Sequence, residues 1–449
     1  MMIKELIKYF ENKKVLILGC GREGISTYKL IRKYLKNQEI YIADAKQDFQ
    51  KDYEIFDGDE NVHFISGEMY LEGLENYDVI MKTPGISFAG IDTSKYVHKI
   101  KSQLELLLEF FDVTTIGITG TKGKSTTTTL IYNMLQEQGV RSLLLGNIGV
   151  PVFDFIEEIK KDDVVVLEMS SHQLEYMQLS PNIAILLNVF EEHLDHYNSF
   201  EGYANAKCNI YKHQKENDYF LYNVDNEMLN KCVKKSKANV YKVSFNGKAG
   251  SNVYIKDDYV YFNDKSIYNV NEKRNLFGDY NLNNIMFVLG VSEILKLDIN
   301  KTIQTIRNFK TLEHRLEFVG KYDDVLYYDN SIATVPAAVI EAVKALENVD
   351  TLIIGGMDRG IDYSEFVDFL NSSSIENIVC MPKTGHDIAK RLNNGKAYVV
   401  NDLAEAVEVS KRVTKKGKSC LLAPAAASYG FFKNFEEKGD LYKKLVRGI

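Results

Sequence analysis

Apolar and polar positions follow two different periods near the start of the chain. A short apolar run at 15–18 precedes a glycine-rich turn, a stretch of helical period at 25–34 and a second short run at 39–43. Short continuous runs are typical of buried strands, and apolar positions three to four residues apart are typical of a helix. The pattern therefore predicts a βαβ unit in a parallel sheet.

The same alternation restarts twice along the chain. The second copy has a predicted strand at 115–119, a glycine turn, a helix at 124–138 and buried strands at 164–167 and 183–189. Tyrosine, valine and polar residues alternating between 218 and 268 predict a small antiparallel patch in this region. The third copy has strands at 325–328, 351–354, 378–381, 397–400 and 419–422, separated by helices at 336–346, 363–370, 388–392 and 403–413.

Three α/β units without a long linker are the simplest account of this organisation. We predict an N-terminal domain at 1–103, a central domain at 104–311 and a C-terminal domain at 312–449. Uninterrupted apolar runs suit strands covered by helices on both faces of a parallel sheet.

Composition narrows the classes of function. A net charge of -7 argues against a nucleic-acid-binding face, which needs clustered lysine and arginine. The five cysteines lack paired spacing, so neither a disulfide framework nor a cysteine-based zinc site is predicted. No secretory segment or membrane span is recognised, and we expect a cytoplasmic protein that does not bind membranes.

The sequence at 120–126, GTKGKST, follows a predicted strand and opens a helix. Main-chain amides at a helix N-terminus favour phosphate, Lys124 would reach the β- and γ-phosphates, and Ser125 would bind Mg²⁺. The spacing departs from the usual P-loop, because Ile118 occupies the position of its first glycine. The alternative is an ordinary capped helix after a glycine turn.

The sequence at 19–24, GCGREG, matches the dinucleotide fingerprint, with Asp44 twenty residues beyond Gly24. By itself this match leaves three alternatives open: an NAD site, a structural turn, or a site for a nucleotide sugar with a pyrophosphate. The P-loop downstream shifts the balance away from redox chemistry.

Acidic and imidazole side chains follow two predicted strands of the central region. Glu168 ends one strand, and the segment 188–197, NVFEEHLDHY, ends another. Ligands bind at the carboxyl ends of parallel strands, and Mg²⁺ takes a few oxygen ligands there. Glu168 and His193 are therefore candidate metal ligands, and the alternative for His193 and His196 is a solvated loop.

These motifs, in their order along the chain, resemble the Mur ligase family. The resemblance covers nearly the whole chain and rests on five segments: 119–126, 167–175, 188–197, 314–315 and 423–428. It implies an α/β fold of three domains, with Rossmann-like N-terminal and C-terminal domains and a central P-loop mononucleotide-binding domain with a parallel sheet. It also implies an N-terminal domain that binds UDP instead of NAD.

The resemblance assigns roles to individual residues. ATP would contact Gly120, Thr121, Lys122, Gly123, Lys124, Ser125, Thr126, Asn281, Asn284, Arg315, Asp329 and Asn330. The UDP substrate would contact Gly19, Gly21, Gly24, Asp44, Thr83 and Asn147. Ser125, Glu168, His193 and a carbamylated Lys207 would hold the metal, and Lys124, Glu168, His193 and Lys207 would serve catalysis. Glutamate would contact Thr334, Arg359, Ser428 and Phe435.

From the residues alone, Lys207 is an exposed-face helical lysine, Arg315 a surface arginine, and Asn281 and Asn284 part of a capped helix. The sequence also departs from the family motif at 330–334, NSIAT, where Asn330 replaces an aspartate and Ile332 a lysine. Asp329 beside them could serve as the missing carboxylate.

The implied activity is the ATP-dependent addition of D-glutamate to UDP-N-acetylmuramoyl-L-alanine through an acyl phosphate, in peptidoglycan precursor synthesis. Its ligands are ATP, Mg²⁺ and small-molecule substrates, and we expect a monomer. Arg359 replaces a lysine of the family, and arginine binds carboxylates bidentately, so L-glutamate is an alternative substrate. Further alternatives are a related ligase with another acceptor, such as a folylpolyglutamate or cyanophycin-type enzyme, and a P-loop NTPase switch without ligation.

Overall fold

A computed structural model describes residues 2–147, 150–192, 194–197, 199–346, 348–393 and 395–448 of the 449-residue chain. The chain forms two compact units. The first comprises Met1–Glu272 with Asn283–Ile306, and the second comprises Lys273–Leu282 with Arg307–Ile449. In the part of the chain that is described, no helix is both long and apolar enough to cross a membrane.

The first unit begins with a five-stranded parallel sheet in the order β3-β2-β1-β4-β5. Its central strand is buried along its whole length, as the apolar run at 15–18 predicts. The elements are α1 (Met2–Phe10), β1 (Val15–Leu18), α2 (Arg22–Tyr34), β2 (Ile40–Asp44), β3 (Val62–Ser66), β4 (Val79–Lys82), β5 (Ile100–Lys101) and α3 (Gln103–Phe110).

A nine-stranded sheet completes the first unit, in the order β14-β13-β12-β11-β10-β9-β6-β8-β7. Its strands are β6 (Thr114–Thr119), β7 (Ser142–Gly146), β8 (Val164–Glu168), β9 (Ile183–Leu186), β10 (Tyr219–Asn223), β11 (Asn239–Ser244), β12 (Val253–Lys256), β13 (Tyr259–Phe262) and β14 (Lys265–Asn269). Its helices are α4 (Lys124–Glu137), α5 (Ser171–Leu174), α6 (Leu194–Tyr197), α7 (Phe200–Lys212) and α8 (Glu227–Cys232). Two further helices, α9 (Asp279–Ile294) and α10 (Ile299–Asn308), contain the residues at which the chain divides into units.

The predicted patch at 218–268 is antiparallel only in part. Strands β12, β13 and β14 pair antiparallel, as expected, but β10 and β11 pair in parallel with each other and β10 pairs in parallel with β9. The prediction was therefore wrong for 219–244. The whole patch extends the central sheet.

The two sheets of the first unit share one apolar core. Ile17 of β1 and Leu167 of β8 belong to the same cluster of buried side chains. Gln103 joins the parts further, because its amide nitrogen donates to the main-chain oxygen of Glu23 (3.0 Å) and its oxygen accepts from the amide of Phe153 (3.1 Å). The N-terminal loops are thereby fixed relative to the central sheet.

The second unit has a six-stranded sheet in the order β15-β16-β20-β17-β18-β19, in which only β15 is antiparallel to its neighbour. Helices cover both faces, since alternate side chains of β17 enter two different core clusters. Its strands are β15 (Glu317–Tyr322), β16 (Val325–Asp329), β17 (Val349–Gly356), β18 (Asn377–Lys383), β19 (Ala397–Val399) and β20 (Ser419–Leu422). Its helices are α11 (Pro336–Leu346), α12 (Ser364–Ser372), α13 (Thr384–Ala389), α14 (Leu403–Val413) and α15 (Phe435–Arg447).

Candidate active site

The glycine-rich turn lies between β6 and α4, at the carboxyl end of a central parallel strand. Gly123 has φ 87°, a left-handed conformation that suits glycine. A Cβ atom at Gly123 would also collide with the side-chain oxygen of Asn284. Asn284, a predicted ATP contact, is therefore next to this turn.

Asn188 holds the turn in place. Its main-chain oxygen accepts from the amide of Thr121, and its side-chain oxygen accepts from the amide of Lys122, both at 2.9 Å. Its side-chain nitrogen donates to the oxygen of Lys122 at 3.0 Å. The amides of Thr121 and Lys122 are thus used within the protein, so phosphate contacts must come from α4 and from side chains. The sequence analysis did not predict this role of Asn188. The only indication was its position at the end of a predicted strand.

Two lysines converge on one carbonyl oxygen of this turn. The ammonium of Lys124 donates to the oxygens of Gly120 (2.8 Å) and Thr121 (2.9 Å). The Nζ atom of Lys207 donates to the same oxygen of Gly120 at 3.0 Å. The structure therefore brings together the two lysines that the sequence places 83 positions apart.

Lys207 is buried, which corrects the interpretation of an exposed-face helical lysine. Only 1% of its surface is exposed, and its Nζ lies 4.7 Å from the centre of the Tyr203 ring. Burial lowers the pKa of Lys207 well below its usual value, and the positive charge of Lys124 lowers it further. A lowered pKa favours the neutral form of this amine, and a neutral amine is a nucleophile.

Glu168 ends β8 with 2% of its surface exposed. One carboxylate oxygen accepts from the side-chain nitrogen of Asn147 at 2.9 Å. The other oxygen is buried and has no hydrogen-bond partner among the described residues. Burying a polar atom without a partner is costly, so this oxygen suits a ligand that is absent from the protein itself, such as a cation.

A cleft of about 360 Å³ is lined by Lys124, Lys207 and Asn147, the partner of Glu168. Two of its lining residues, Pro84 and Gly85, come from the loop after β4, and the others come from the segments around the nine-stranded sheet. The lining residues are Pro84, Gly85, Lys124, Asn147, Ser170, Ser171, His172, Glu192, Tyr203 and Lys207. His172, Glu192 and Tyr203 were not predicted as site residues.

The predicted ligand His193 lies outside the described residues. Its neighbour His196 is described and is partly buried, with its Nε2 atom 3.1 Å from a carboxylate oxygen of Glu175. The ring of His196 lies 4.5 Å from that of His172. These contacts show that His196 is a packed residue of the domain.

The predicted UDP-binding residues converge at the carboxyl ends of β1, β2 and β4. Gly19 has φ 98°, and a Cβ atom there would collide with the hydroxyl of Thr83. A Cβ atom at Gly24 would likewise collide with the oxygen of Gly19. Both carboxylate oxygens of Asp44 accept main-chain amides, from Cys20 (2.8 Å) and from Lys46.

Gly21 precedes α2 in the same turn, and a Cβ atom there would meet nothing within 4 Å. Gly21 therefore faces open space, as a turn that receives a ligand would. Asn147 is placed at the neighbouring cleft by its amide, which donates to the main-chain oxygen of Glu168 at 2.9 Å.

In the second unit, three predicted glutamate-binding residues lie on adjoining loops. The amide of Ala425 donates to the oxygen of Ala333, and the amide of Met357 donates to that of Ala427, both at 2.9 Å. These bonds tie the segments carrying Thr334 and Arg359 to the segment that precedes Ser428. The hydroxyl of Ser428 is buried and has no partner among the described residues.

Phe435 begins α15, and its ring contacts the ring of His314 edge-on with centroids 5.9 Å apart. His314 in turn bonds through Nδ1 to a carboxylate oxygen of Asp329 at 2.7 Å. Burial alone would lower the pKa of His314, but the hydrogen bond and charge of Asp329 outweigh it and raise the pKa. The raised pKa favours the protonated imidazole of His314 in this buried contact.

Asp329 and Asn330 support the turn that carries Arg315. Asp329 is fully buried, and its second oxygen accepts from the amide of Ser331 at 2.9 Å. Asn330 accepts from the amide of Leu316 at 3.1 Å. His314 and Leu316, on either side of Arg315, both have positive φ, at 63° and 51°. Both oxygens of Asp329 therefore accept hydrogen bonds within the protein, and its role as the substitute for the missing aspartate stays a prediction.

Asn281 belongs to the same unit and lies near the start of α9, where its side-chain nitrogen donates to the oxygen of Phe277 at 2.8 Å. This bond ties the first turn of α9 to the segment that precedes it. A role for Asn281 in ATP binding stays a prediction.

The fold and cleft define a P-loop nucleotide-binding α/β enzyme, and comparisons with known proteins identify its family. Residues 118–292 match the family model described as Mur ligase middle domain. The chain is 34% identical to UDP-N-acetylmuramoylalanine--D-glutamate ligase of Clostridium tetani, covering 99% of each chain. It is 33% identical to the ligase of that name from Acetivibrio thermocellus, covering 100% of this chain and 99% of the other.

Solved structures show the same fold. MurF ligase from Thermotoga maritima in complex with ADP has a TM-score of 0.60 at 20% identity, covering 98% of this chain and 97% of the other. UDP-N-acetylmuramate-alanine ligase MurC from the same organism has a TM-score of 0.60 at 17% identity, covering 97% and 100%. The chain belongs to the Mur ligase family. The predicted α/β fold and the predicted class, an ATP-dependent ligase, are confirmed.

Proposed function

We propose that this ligase adds D-glutamate to UDP-N-acetylmuramoyl-L-alanine in cytoplasmic peptidoglycan precursor synthesis. The relatives of that name, which match over almost the whole chain, support this substrate pair. The single observation that carries the proposal is the cleft that joins Lys124 of the P-loop to the buried Lys207 and to Asn147, the partner of Glu168.

The first unit would hold both nucleotides. The turn at 19–24, Asp44, Thr83 and Asn147 would bind the UDP part of the acceptor, and the P-loop would bind ATP. The terminal alanine carboxylate then attacks the γ-phosphorus of ATP, forming a new P–O bond as the bond to ADP breaks. Lys124 is placed to neutralise the charge that spreads over the phosphate oxygens.

Mg²⁺ would be held by Ser125, Glu168, His193 and a carbamylated Lys207. The buried, unpartnered oxygen of Glu168 fits a hard cation that prefers carboxylate oxygens. When bound, the ion would supply positive charge beside the phosphates of ATP. Asn147 would orient Glu168 toward that position.

Carbamylation of Lys207 is supported by its environment. A neutral amine attacks carbon dioxide, a new N–C bond forms, and the proton leaves to solvent, which converts a cation into an anion. The lowered pKa of Lys207 provides the neutral amine. Its position in the cleft provides access to small molecules.

The second unit would bind glutamate through Thr334, Arg359, Ser428 and Phe435. The free amine of glutamate attacks the acyl carbon, a C–N bond forms, phosphate leaves with the shared electron pair, and the amine loses a proton. Lys124 and His193 would stabilise the oxyanion of the tetrahedral intermediate. Arg315, Asn281, Asn284, Asp329 and Asn330 would complete ATP binding.

L-glutamate is the second candidate substrate. It is favoured by Arg359, whose guanidinium donates to the main-chain oxygen of Thr334 and so gives the pocket a shape that a lysine would not. The proposal further includes domains at 1–103, 104–311 and 312–449 and a monomeric protein.

The decisive experiment measures ADP formation with UDP-N-acetylmuramoyl-L-alanine and either D-glutamate or L-glutamate. We expect ADP only when acceptor and D-glutamate are both present. ADP formation only with L-glutamate would establish the second candidate. Phosphate release without any amino acid would instead indicate an NTPase switch, and activity only with a folate or a polypeptide acceptor would indicate a different ligase.

A further inference from the structure

A buried lysine in the second unit has no counter-ion. Lys438 lies on α15 with 1% of its surface exposed. Its nearest recorded partners are the oxygen of Gly355, at 3.4 Å from Nζ, and the ring of Phe432, whose centre is 5.4 Å away. No carboxylate among the described residues forms an ion pair with it.

This arrangement is costly for a folded protein. Lysine is rarely buried unless it is paired, because its charge loses hydration. Burial lowers the pKa of Lys438 to about 8, so at neutral pH the amine is still largely charged. Lys443 on the same helix is also buried, but its charge is paired: its Nζ is 3.3 Å from carboxylate oxygens of both Glu317 and Asp440.

Lys438 lies against the loops that carry the predicted glutamate site. Gly355, its hydrogen-bond partner, is at the carboxyl end of β17, and its amide donates to the oxygen of Pro424 at 2.9 Å. Phe432, its ring partner, donates its amide to the oxygen of Ser428 at 3.1 Å. The ammonium therefore sits between the end of β17 and the turn that begins at Ser428.

Ser428 provides an independent sign of a missing ligand. It is 3% exposed, and its hydroxyl has no partner among the described residues. The turn that begins at Ser428 thus carries a buried hydroxyl without a partner among the described residues, and the buried ammonium of Lys438, on α15, lies near the same turn through its contact with Phe432. One carboxylate would satisfy both.

We infer that Lys438 and Ser428 bind the side-chain carboxylate of the incoming glutamate. The inference rests on the proposed function and adds a residue that sets its specificity. Arg359 is exposed and would meet the other carboxylate, which is next to the amine that has to react. The buried pair would then receive the far end of the substrate, and Lys438 would make the enzyme select an acidic amino acid over its amide.

The test compares glutamate with glutamine of the same configuration in Lys438→Gln, Lys438→Arg, Ser428→Ala and wild type. A hydrogen bond to a charged group predicts that Lys438→Gln lowers kcat/KM for glutamate by about 10- to 100-fold. The kcat/KM for glutamine should fall much less, so the ratio of the two kcat/KM values, which measures the preference for glutamate, should decrease. Lys438→Arg should keep most of the preference, because it keeps the charge.

Controls separate this role from a structural one. The KM values for ATP and for the UDP substrate should stay unchanged in all three variants. Lys444→Gln, at an exposed position of the same helix, should behave as wild type. A folded Lys438→Gln enzyme with the wild-type preference for glutamate would overturn the inference.

If Lys438→Gln does not fold, Ser428→Ala and Lys438→Arg decide the matter. Loss of preference in the serine variant with retention in the arginine variant supports the inference, and unchanged preference in Ser428→Ala overturns it. Failure of the proposed function is distinguishable, because wild type itself would then form no ADP with either enantiomer of glutamate.

Discussion

Arg359 donates a hydrogen bond of 2.9 Å from Nη2 to the main-chain oxygen of Thr334. The bond joins the loops after β17 and β16, two strands that both flank β20. It fixes the plane of the guanidinium while its other nitrogens can meet a carboxylate. A lysine at this position could not hold the same geometry, because an ammonium is a point charge on a flexible stem.

Replacing Arg359 should weaken glutamate binding selectively. We expect Arg359→Ala to raise the KM for glutamate by about 10- to 100-fold, the effect of losing a charged hydrogen bond. Arg359→Lys should recover only part of the loss. Initial rates at varied glutamate check this, and Arg391→Ala, an exposed arginine of the same unit, is the matched control. An equal rise in the KM for ATP would indicate general damage.

Lys124 should be required for phosphoryl transfer and dispensable for the acceptor. We expect Lys124→Ala to lower the rate of ADP formation by about 10²- to 10³-fold or more, because charge on the transferring phosphate loses its partner. Binding of the UDP substrate, followed by calorimetry, should be nearly unchanged. Lys161→Ala is the control, since its side chain is exposed and lies outside the P-loop. If Lys124→Ala lost both ADP formation and binding of the UDP substrate, the prediction that Lys124 serves only phosphoryl transfer would be wrong.

Glu168→Gln should weaken metal binding without lowering the stability of the fold. The substitution keeps the shape of the side chain and removes a buried charge, so the free energy of unfolding without metal should not fall. The Mg²⁺ concentration needed for half-maximal ADP formation should rise at least about tenfold. Titration with Mg²⁺ checks this against Glu158→Gln, an exposed control. A wild-type Mg²⁺ requirement would remove Glu168 from the metal site.

Lys207→Ala should be inactive and partly rescued by small carboxylates such as acetate or formate. The added anion would occupy the space of the modified side chain. ADP formation with and without the carboxylate measures the effect, and Lys212→Ala, exposed on the same helix, needs no rescue. If no carboxylate restores any activity, carbamylation loses its support.

Lys438→Met should stabilise the protein in a pH-dependent way. The pKa of Lys438 is lowered from 10.5 to about 8 in the folded state, so the unfolded chain binds more protons between these values. The free energy of unfolding of the wild type therefore rises with pH between these two pKa values, because the cost of burying the charge of Lys438 disappears. The advantage of Lys438→Met, measured by urea unfolding, should be largest below pH 8 and fade toward pH 10.5. Lys443→Met should show the opposite sign, because its ion pairs raise the pKa of Lys443.

The hydrophobic pattern was sufficient to predict most strands and helices but not how the strands pair. Tyr219–Asn223 and Asn239–Ser244 belong to a region of mixed tyrosine, valine and polar residues that predicted an antiparallel patch, yet they extend a parallel sheet. Parallel and antiparallel edges can carry the same alternation, so the choice depends on the connection between strands. That information is not local to either segment.

The sequence predicts a functional residue well when one contiguous segment contains the whole motif. It does not predict the environment of a residue that distant segments surround. The P-loop is a contiguous signal, whereas the burial of Lys207 depends on Gly120 and Tyr203 packing against it. Lys438 resembles any helical lysine in the sequence. Its missing counter-ion is visible only once α15 is packed on the sheet.

The shared acceptor at Gly120 couples nucleotide occupancy to the reactivity of Lys207. Burial lowers the pKa of Lys207, and the nearby charge of Lys124, which shares the oxygen of Gly120, lowers it further. A triphosphate would draw Lys124 toward itself and add negative charge, and both changes favour protonation of Lys207. We therefore expect the amine of Lys207 to capture carbon dioxide before ATP binds, in the interval between one turnover and the next.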